Sequence, residues 1–274
     1  MAPEVDLLDR TDIHLQDGRL EAAWIGPGPD EAPTLVFLHE GLGCVALWRD
    51  FPARLAQHTG CGALVFSRLG YGASDPCTLP RPVDFMHREG LMVLPEVIRQ
   101  TGIRDHFLIG HSDGGSIALI YAGADSRPGL MGVITLAAHV FCEDLTRQSI
   151  RNARERYRSG NLRKRLFPYH GDNTDCAFTG WCDAWLHPDF RSWNIEAFLP
   201  GVRVPVLAIQ GEADPYGTRI QIDKIASGIA GRGNVQMIAD CGHAPHADHK
   251  DAVVGMGAAF IRRVTNQGTT STHR

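Results

Sequence analysis

The sequence lacks the features that mark several whole classes of protein. It has no excess of positive charge: 27 Lys and Arg stand against 31 Asp and Glu, for a formal net charge of −4. Nucleic acid is bound by basic surfaces that release counterions from phosphate, so no nucleic-acid partner is expected. No apolar run approaches the ~18 residues of a membrane span, and no membrane partner is expected either. The N-terminal stretch MAPEVDLLDRTD is acidic and has no apolar core, which does not read as a secretory signal. The seven cysteines (Cys44, Cys61, Cys77, Cys142, Cys176, Cys182 and Cys241) form no C-x-x-C pair and no zinc spacing. Scattered thiols in odd number read as reduced side chains of a cytoplasmic protein. There is no internal repeat.

Apolar material is plentiful. Hydrophobic residues make up 43% and charged residues 21% of the 274 positions, enough to bury a core and to exclude disorder for the bulk of the chain. Runs at 34–39 (TLVFLH), 63–67 (ALVFS), 106–109 (HFLI), 130–136 (LMGVITL) and 205–210 (PVLAIQ) are short, β-rich and bounded by Gly or Pro. They lack polar alternation, as strands of a parallel sheet buried on both faces do. Helical stretches lie between them at 46–58, 83–101, 116–124 and 217–229, and an N-terminal hairpin is expected from 13–16 and 20–25 around Asp17-Gly18-Arg19. Strands alternating with helices imply an α/β fold with a mostly parallel sheet and helices on both faces.

The rhythm breaks between 139 and 200, where no strand signal is found and where Trp181, Trp185 and Trp193 fall. The expected organisation is therefore a core of 1–138 and 201–265, a helical insertion at 139–200, and a polar, frayed tail at 266–274.

The sharpest local feature is Gly110-His111-Ser112-Asp113-Gly114-Gly115, between the strand HFLI and the apolar helix SIALIYAGA. A sharp strand-to-helix turn needs glycines around the serine and lifts its Oγ clear of the sheet. With 30 glycines and ten serines in the chain, chance supplies about 0.1 such G-x-S-x-G strings, and the strand–turn–helix context sharpens the signal further. A serine hydroxyl is a weak nucleophile without a base, so an acid and a histidine are sought downstream in that order. Asp214 follows the strand PVLAIQ, and His243 follows the strand-like run 234–239. Both fall at the sheet edge where ligands bind in open α/β sheets. A fourth element, His39-Glu40-Gly41-Leu42-Gly43 after TLVFLH, offers a backbone N–H to an oxyanion. The second donor would be the N–H of Asp113.

Together these four elements resemble the α/β-hydrolase superfamily over nearly the whole chain. The likeness includes the turn Arg68-Leu69-Gly70-Tyr71-Gly72-Ala73-Ser74-Asp75, similar to the family's R-G-x-G-x-S, and the insertion matches its usual cap position. The resemblance implies Ser112 as nucleophile, Asp214 as acid and His243 as base, with Glu143 and Asp144 as reserve acids. Glu40 departs from the pattern where glycine is common, which leaves Gly41 or Leu42 as the first oxyanion donor. Asp113 is a second departure. These two carboxylates either bind a cationic or hydroxylated group of the substrate or are held structurally by hydrogen bonds or an arginine. Trp181 and Trp185, one helical turn apart, are candidates for a substrate pocket as well as for the core of the insertion.

The implied activity is a serine hydrolase acting on a small carboxylic ester through an acyl-enzyme, with no metal or organic cofactor, as a monomer or homodimer. Lactone opening, amide cleavage and C–C hydrolysis of a ring-cleavage diketone use the same triad. A cofactor-free dioxygenase, a hydroxynitrile lyase and a non-catalytic binding protein share the fold. Serine as nucleophile argues against the haloalkane dehalogenases and epoxide hydrolases, which use Asp. Two further patterns are noted. His243, His246 and His249 are spaced as H-x-x-H-x-x-H, without a carboxylate that completes a metal site. Arg147, Arg151, Arg154 and Arg158 form a helical stripe, read as a solvated face or a dock for an acidic partner.

Overall fold

The computed structural model describes residues 9–125, 127–229 and 233–271. Eight strands form one sheet: β1 (Asp9–Leu15), β2 (Gly18–Ile25), β3 (Thr34–Leu38), β4 (Gly62–Phe66), β5 (His106–His111), β6 (Leu130–Leu136), β7 (Val206–Gly211) and β8 (Gly233–Ile238). Their spatial order is β1-β2-β4-β3-β5-β6-β7-β8. The hairpin strand β2 is antiparallel to both β1 and β4, and every pairing from β4 to β8 is parallel.

Burial on both faces explains the unbroken apolar runs. In β3, Leu35 and Phe37 enter one core cluster while Val36 and Leu38 enter the other. The two-residue period of a strand sends alternate side chains to opposite faces, and here both faces are covered. Helices α1 (Phe51–Thr59) and α10 (Lys250–Ser271) contribute Leu55, Val254 and Ile261 to one cluster. On the other face lie α2 (Phe85–Arg88), α3 (Leu94–Gln100), α4 (Asp113–Gly123) and α8 (Arg219–Gly228).

Two expected helices are interrupted, and proline accounts for both. The stretch 46–58 divides into a 3-10 turn, Val45–Trp48, and α1, which carries Pro52 in its first turn. The stretch 83–101 divides into α2, a π-turn at Glu89–Val93, and α3, which carries Pro95 in its first turn. Proline has no N–H and clashes with the carbonyl four residues back, so each helix restarts at it. At the C-terminus, α10 continues as helix to Ser271, past the expected fraying point at 266. Once the face bearing Val253, Val254, Ile261 and Val264 has docked, extending a helix by single residues costs far less than nucleating one. The remainder of the expected tail, 272–274, lies outside the described residues.

Between β6 and β7 the chain is helical: α5 (Asp144–Arg158), α6 (Asn161–His170) and α7 (Thr174–Leu186), with a single isolated bridge from Phe141 to Asn194. Ring contacts bind this insertion. Tyr157 stacks on Phe178 at 3.7 Å, and Trp185 packs on Phe190 and Trp193 at 4.6 and 5.7 Å. The arginine stripe on α5 is not uniformly solvated. Arg147 is buried and donates to the carbonyls of Trp185, Leu186 and His187 at 2.6, 3.0 and 3.2 Å, capping α7. A short α9 (Pro245–Asp248) completes the helices among the described residues.

Candidate active site

The four elements of the predicted catalytic constellation lie at the carboxyl edge of the sheet: His39 after β3, Ser112 after β5, Asp214 after β7 and His243 after β8, while Trp181 and Trp185 lie on α7. Ser112 occupies the turn between β5 and α4 with φ 51° and ψ −116°. A non-glycine residue held there costs on the order of 1–3 kcal/mol and persists only because its surroundings enforce it. Two glycines make the turn possible. A Cβ on Gly114 would lie 1.9 Å from the Leu38 carbonyl oxygen, and one on Gly110 would lie 2.3 Å from the Gly114 oxygen. The turn is anchored by the Ser112 N–H, which donates to the Leu136 oxygen at 2.8 Å. Although it precedes a helix, Ser112 makes no side-chain cap. Its Oγ lies 2.9 Å from His243 Nε2 instead.

His243 Nδ1 lies 2.8 and 2.9 Å from the two oxygens of Asp214. Burial opposes the Asp214 charge, but hydrogen bonding and attraction to His243 outweigh it and hold the carboxyl below its ordinary range. The Tyr216 N–H, donating to Asp214 Oδ1 at 2.8 Å, adds to this. An ionised carboxylate only accepts, so the His243 proton sits on Nδ1 and leaves Nε2 free to accept from Ser112. The reserve acids are otherwise engaged. Glu143 accepts from the Thr218 N–H and hydroxyl and from Gln221 Nε2, at 3.0, 2.6 and 2.7 Å, while exposed Asp144 pairs with Arg191.

The loop after β3 is clamped from below. Arg68, 1% exposed, donates from Nη1 to the His39 oxygen at 2.6 Å and from Nη2 to the Glu40 oxygen at 3.1 Å. The N–H groups of Gly41, Leu42 and Asp113 donate no backbone hydrogen bond among the described residues. Gly41 and Leu42 both line the cavity above Ser112, so both remain as first donor.

Glu40, which the sequence left between two roles, is paired. Its Oε2 lies 3.3 Å from His111 Nδ1, and His111 Nε2 lies 2.7 Å from the His243 carbonyl oxygen. Burial disfavours charge on both side chains. Their mutual hydrogen bond and attraction outweigh it, lowering the Glu40 pKa and raising that of His111. A carboxylate–imidazolium pair thus holds the backbone of His243. Asp113, the other odd carboxyl, accepts from Trp185 Nε1 at 3.1 Å through Oδ1, and its Oδ2 is buried without a partner. Burial raises its pKa despite the opposing pull of Arg68.

A cavity of about 110 Å³ opens over Ser112 and is walled by Glu40, Asp113, His139, Ile150, Trp181 and Trp185 among others. Both tryptophans singled out in the sequence therefore face it, and the Trp181 indole packs directly over Gly41. His139 was not anticipated. It follows β6, is 2% exposed, and has an unpartnered Nδ1. Burial, then the neighbouring His243, push its pKa down to about 3, so it is neutral. Tyr216, also unanticipated, lies with its ring 4.7 Å from that of His243. With 13 histidines in the chain, no local signal separated His111 and His139 from the rest.

The H-x-x-H-x-x-H residues do not converge. His246 is buried against Trp48 and His111, at 5.0 and 4.7 Å, while half-buried His249 bonds the Asp240 carbonyl. Among the described residues no three His, Cys, Asp or Glu are placed to hold a metal ion. Nor is any described helix long and apolar enough to cross a membrane.

A strained serine, a buried carboxylate and a histidine, in this order along one sheet edge, define a hydrolase-type site. Residues 35–256 match the Alpha/beta hydrolase family, and the chain belongs to it. The chain is 30% identical over 113 residues to 2-succinyl-6-hydroxy-2,4-cyclohexadiene-1-carboxylate synthase from Salmonella paratyphi C, 41% of each chain. It thus spans about two-fifths of the length of the curated relatives it matches. Among solved structures, an esterase from Exiguobacterium antarcticum is similar with TM-score 0.74 and 19% identity, covering 92% of this chain and 99% of that one. The enol-lactonase from Burkholderia xenovorans is similar with TM-score 0.73 and 16% identity, covering 92% and 100%. At such identities these two likenesses show the fold alone.

Proposed function

We propose that the protein is a serine hydrolase that cleaves a small carboxylic ester through an acyl-enzyme. The observation that carries this reading is the unbroken chain Ser112 Oγ–His243–Asp214, with contacts of 2.9 and 2.8 Å and the imidazole tautomer set by the carboxylate. As Ser112 attacks the ester carbonyl, His243 Nε2 takes its proton. Asp214 holds the ring and stabilises the imidazolium. The N–H of Asp113 and that of Gly41 or Leu42 receive the oxyanion, each donor contributing about 3 kcal/mol to the transition state. His243 then protonates the departing alkoxide, and water repeats the sequence on the acyl-enzyme. The insertion acts as a cap that places Trp181 and Trp185 over the acyl group. No cofactor enters these steps.

The name of the curated relatives describes formation of a succinyl-substituted carboxylate. Among the described residues no Lys or Arg lines this cavity to receive such a group, which favours ester hydrolysis over that reaction here. The enzyme is read as cytoplasmic, a monomer or homodimer with a small-molecule substrate and neither a nucleic-acid nor a membrane partner.

Incubation with a fluorophosphonate, followed by peptide mass spectrometry, tests the reading. A covalent adduct on Ser112, absent from Ser112→Ala, is the expected result. No adduct on folded wild-type protein would overturn it and would direct attention to oxygen uptake, cyanide release or ligand binding.

A further inference from the structure

The charged groups around the cavity are unevenly distributed. Two acidic residues, Glu40 and Asp113, line it, and among the described residues no lysine or arginine does. Of the arginines beside the wall, Arg68 donates to the His39 and Glu40 carbonyls, Arg147 caps the end of α7, and Arg156 interacts with Tyr216. Of the histidines in the wall, His139 is buried beside a second imidazole and held neutral, and His243 belongs to Asp214. His111, the cation of the Glu40 pair, spends both ring nitrogens on Glu40 and the His243 carbonyl. The rest of the wall is mostly apolar, with Leu42, Ile150, Trp181 and Trp185 beside Gly41, Thr146 and Tyr216. An anionic group bound here would lose its water without gaining a cation, and it would sit beside two carboxyls.

We infer that the acyl group transferred to Ser112 is short and uncharged, and that acyl groups bearing a carboxylate are rejected. The inference rests on the serine-hydrolase reading, in which the acyl group remains bonded to Ser112 inside this cavity while the alcohol departs. A carboxylate that gives up its water beside acidic residues, with no unpaired cation to meet it, is disfavoured by on the order of 100-fold. The volume of about 110 Å³, partly open to solvent, favours a short chain. It is smaller than the ~150 Å³ apolar cavity known to hold a benzene ring.

The test compares two esters of matched shape: ethyl 4-methylpentanoate, whose acyl chain ends in an isopropyl group, and monoethyl succinate, whose chain ends in a carboxylate. Released ethanol gives kcat/KM for each at neutral pH. The neutral ester should be favoured by at least about 100-fold. Glu40→Gln and Asp113→Asn keep the side-chain shapes, and each should narrow that ratio about tenfold. Asp113→Asn retains the oxygen that accepts from Trp185, so it serves alone where Glu40→Gln does not fold. A wild-type ratio within tenfold of unity would overturn the inference, as would variants that leave the ratio unchanged. Turnover of neither ester by a protein that still labels at Ser112 would also overturn it, while leaving the serine nucleophile intact. Absence of labelling would instead remove the underlying reading.

Discussion

Replacing Glu40 by alanine isolates the pair that holds the catalytic-loop backbone. In the wild type, the Glu40 carboxylate faces His111 Nδ1 at 3.3 Å, and His111 Nε2 reaches the His243 carbonyl at 2.7 Å. His111 is 5% exposed and Glu40 27%. Removing one partner of a fully buried pair costs roughly 3–5 kcal/mol. Because Glu40 keeps contact with solvent, about 1–2 kcal/mol is the expected loss. For a protein of this size that lowers the apparent Tm by about 4 °C. The pH dependence identifies the cause. Glu40 has a lowered folded pKa, so its contribution is present above its unfolded value of 4.5 and is lost on acidification. His111 has a raised folded pKa, so its contribution is complete below 6.5 and is lost as pH rises through the folded value. The other groups against His111 do not compete for its proton. His246 is held neutral by burial and by His111 itself, and Asp214 is bound to His243. The difference in Tm between wild type and Glu40→Ala should therefore be largest near pH 5.5 and shrink by pH 9. Thermal unfolding followed by circular dichroism at both values measures it. A difference that is absent, or equal at the two pH values, would refute the assignment of a charged pair.

Two further outcomes follow from the site geometry. Asp214→Asn should leave the Tm within about 2 °C of wild type but lower kcat by 10³–10⁴, as loss of the orienting acid does in other triads, because the amide no longer fixes the Nδ1–H tautomer; ester turnover and thermal unfolding of the same sample check it. Gly114→Ala would drive a methyl group to 1.9 Å from the Leu38 carbonyl, against backbone that cannot move without breaking β3 from the turn. It should abolish fluorophosphonate labelling of Ser112 and lower the Tm by several degrees, whereas an alanine at half-buried Gly160, an αL position with open space around its Cβ, should cost stability without loss of labelling.

What the sequence determined by itself was the set of features written locally. Strand runs such as 34–38 and 130–136 were legible because burial on both faces demands continuous apolar residues. The turn at Ser112 was legible because its glycines are required by contacts of the turn with itself and with the neighbouring strand end, and Asp214 and His243 because each follows a strand in the order the fold imposes. The prolines at 52 and 95 were present to be read as helix starts, yet apolar periodicity alone joined the segments around them. Only the tertiary structure decided the roles of Glu40, His111, Asp113 and His139. Glu40 meets His111 across 71 residues of chain, Asp113 meets Trp185 across 72, and His111 meets His243 across 132. No propensity or spacing encodes such contacts. They arise when parallel strands bring distant loops to one edge and a helical insertion closes over them, and burial then decides which carboxyls and imidazoles keep their charge.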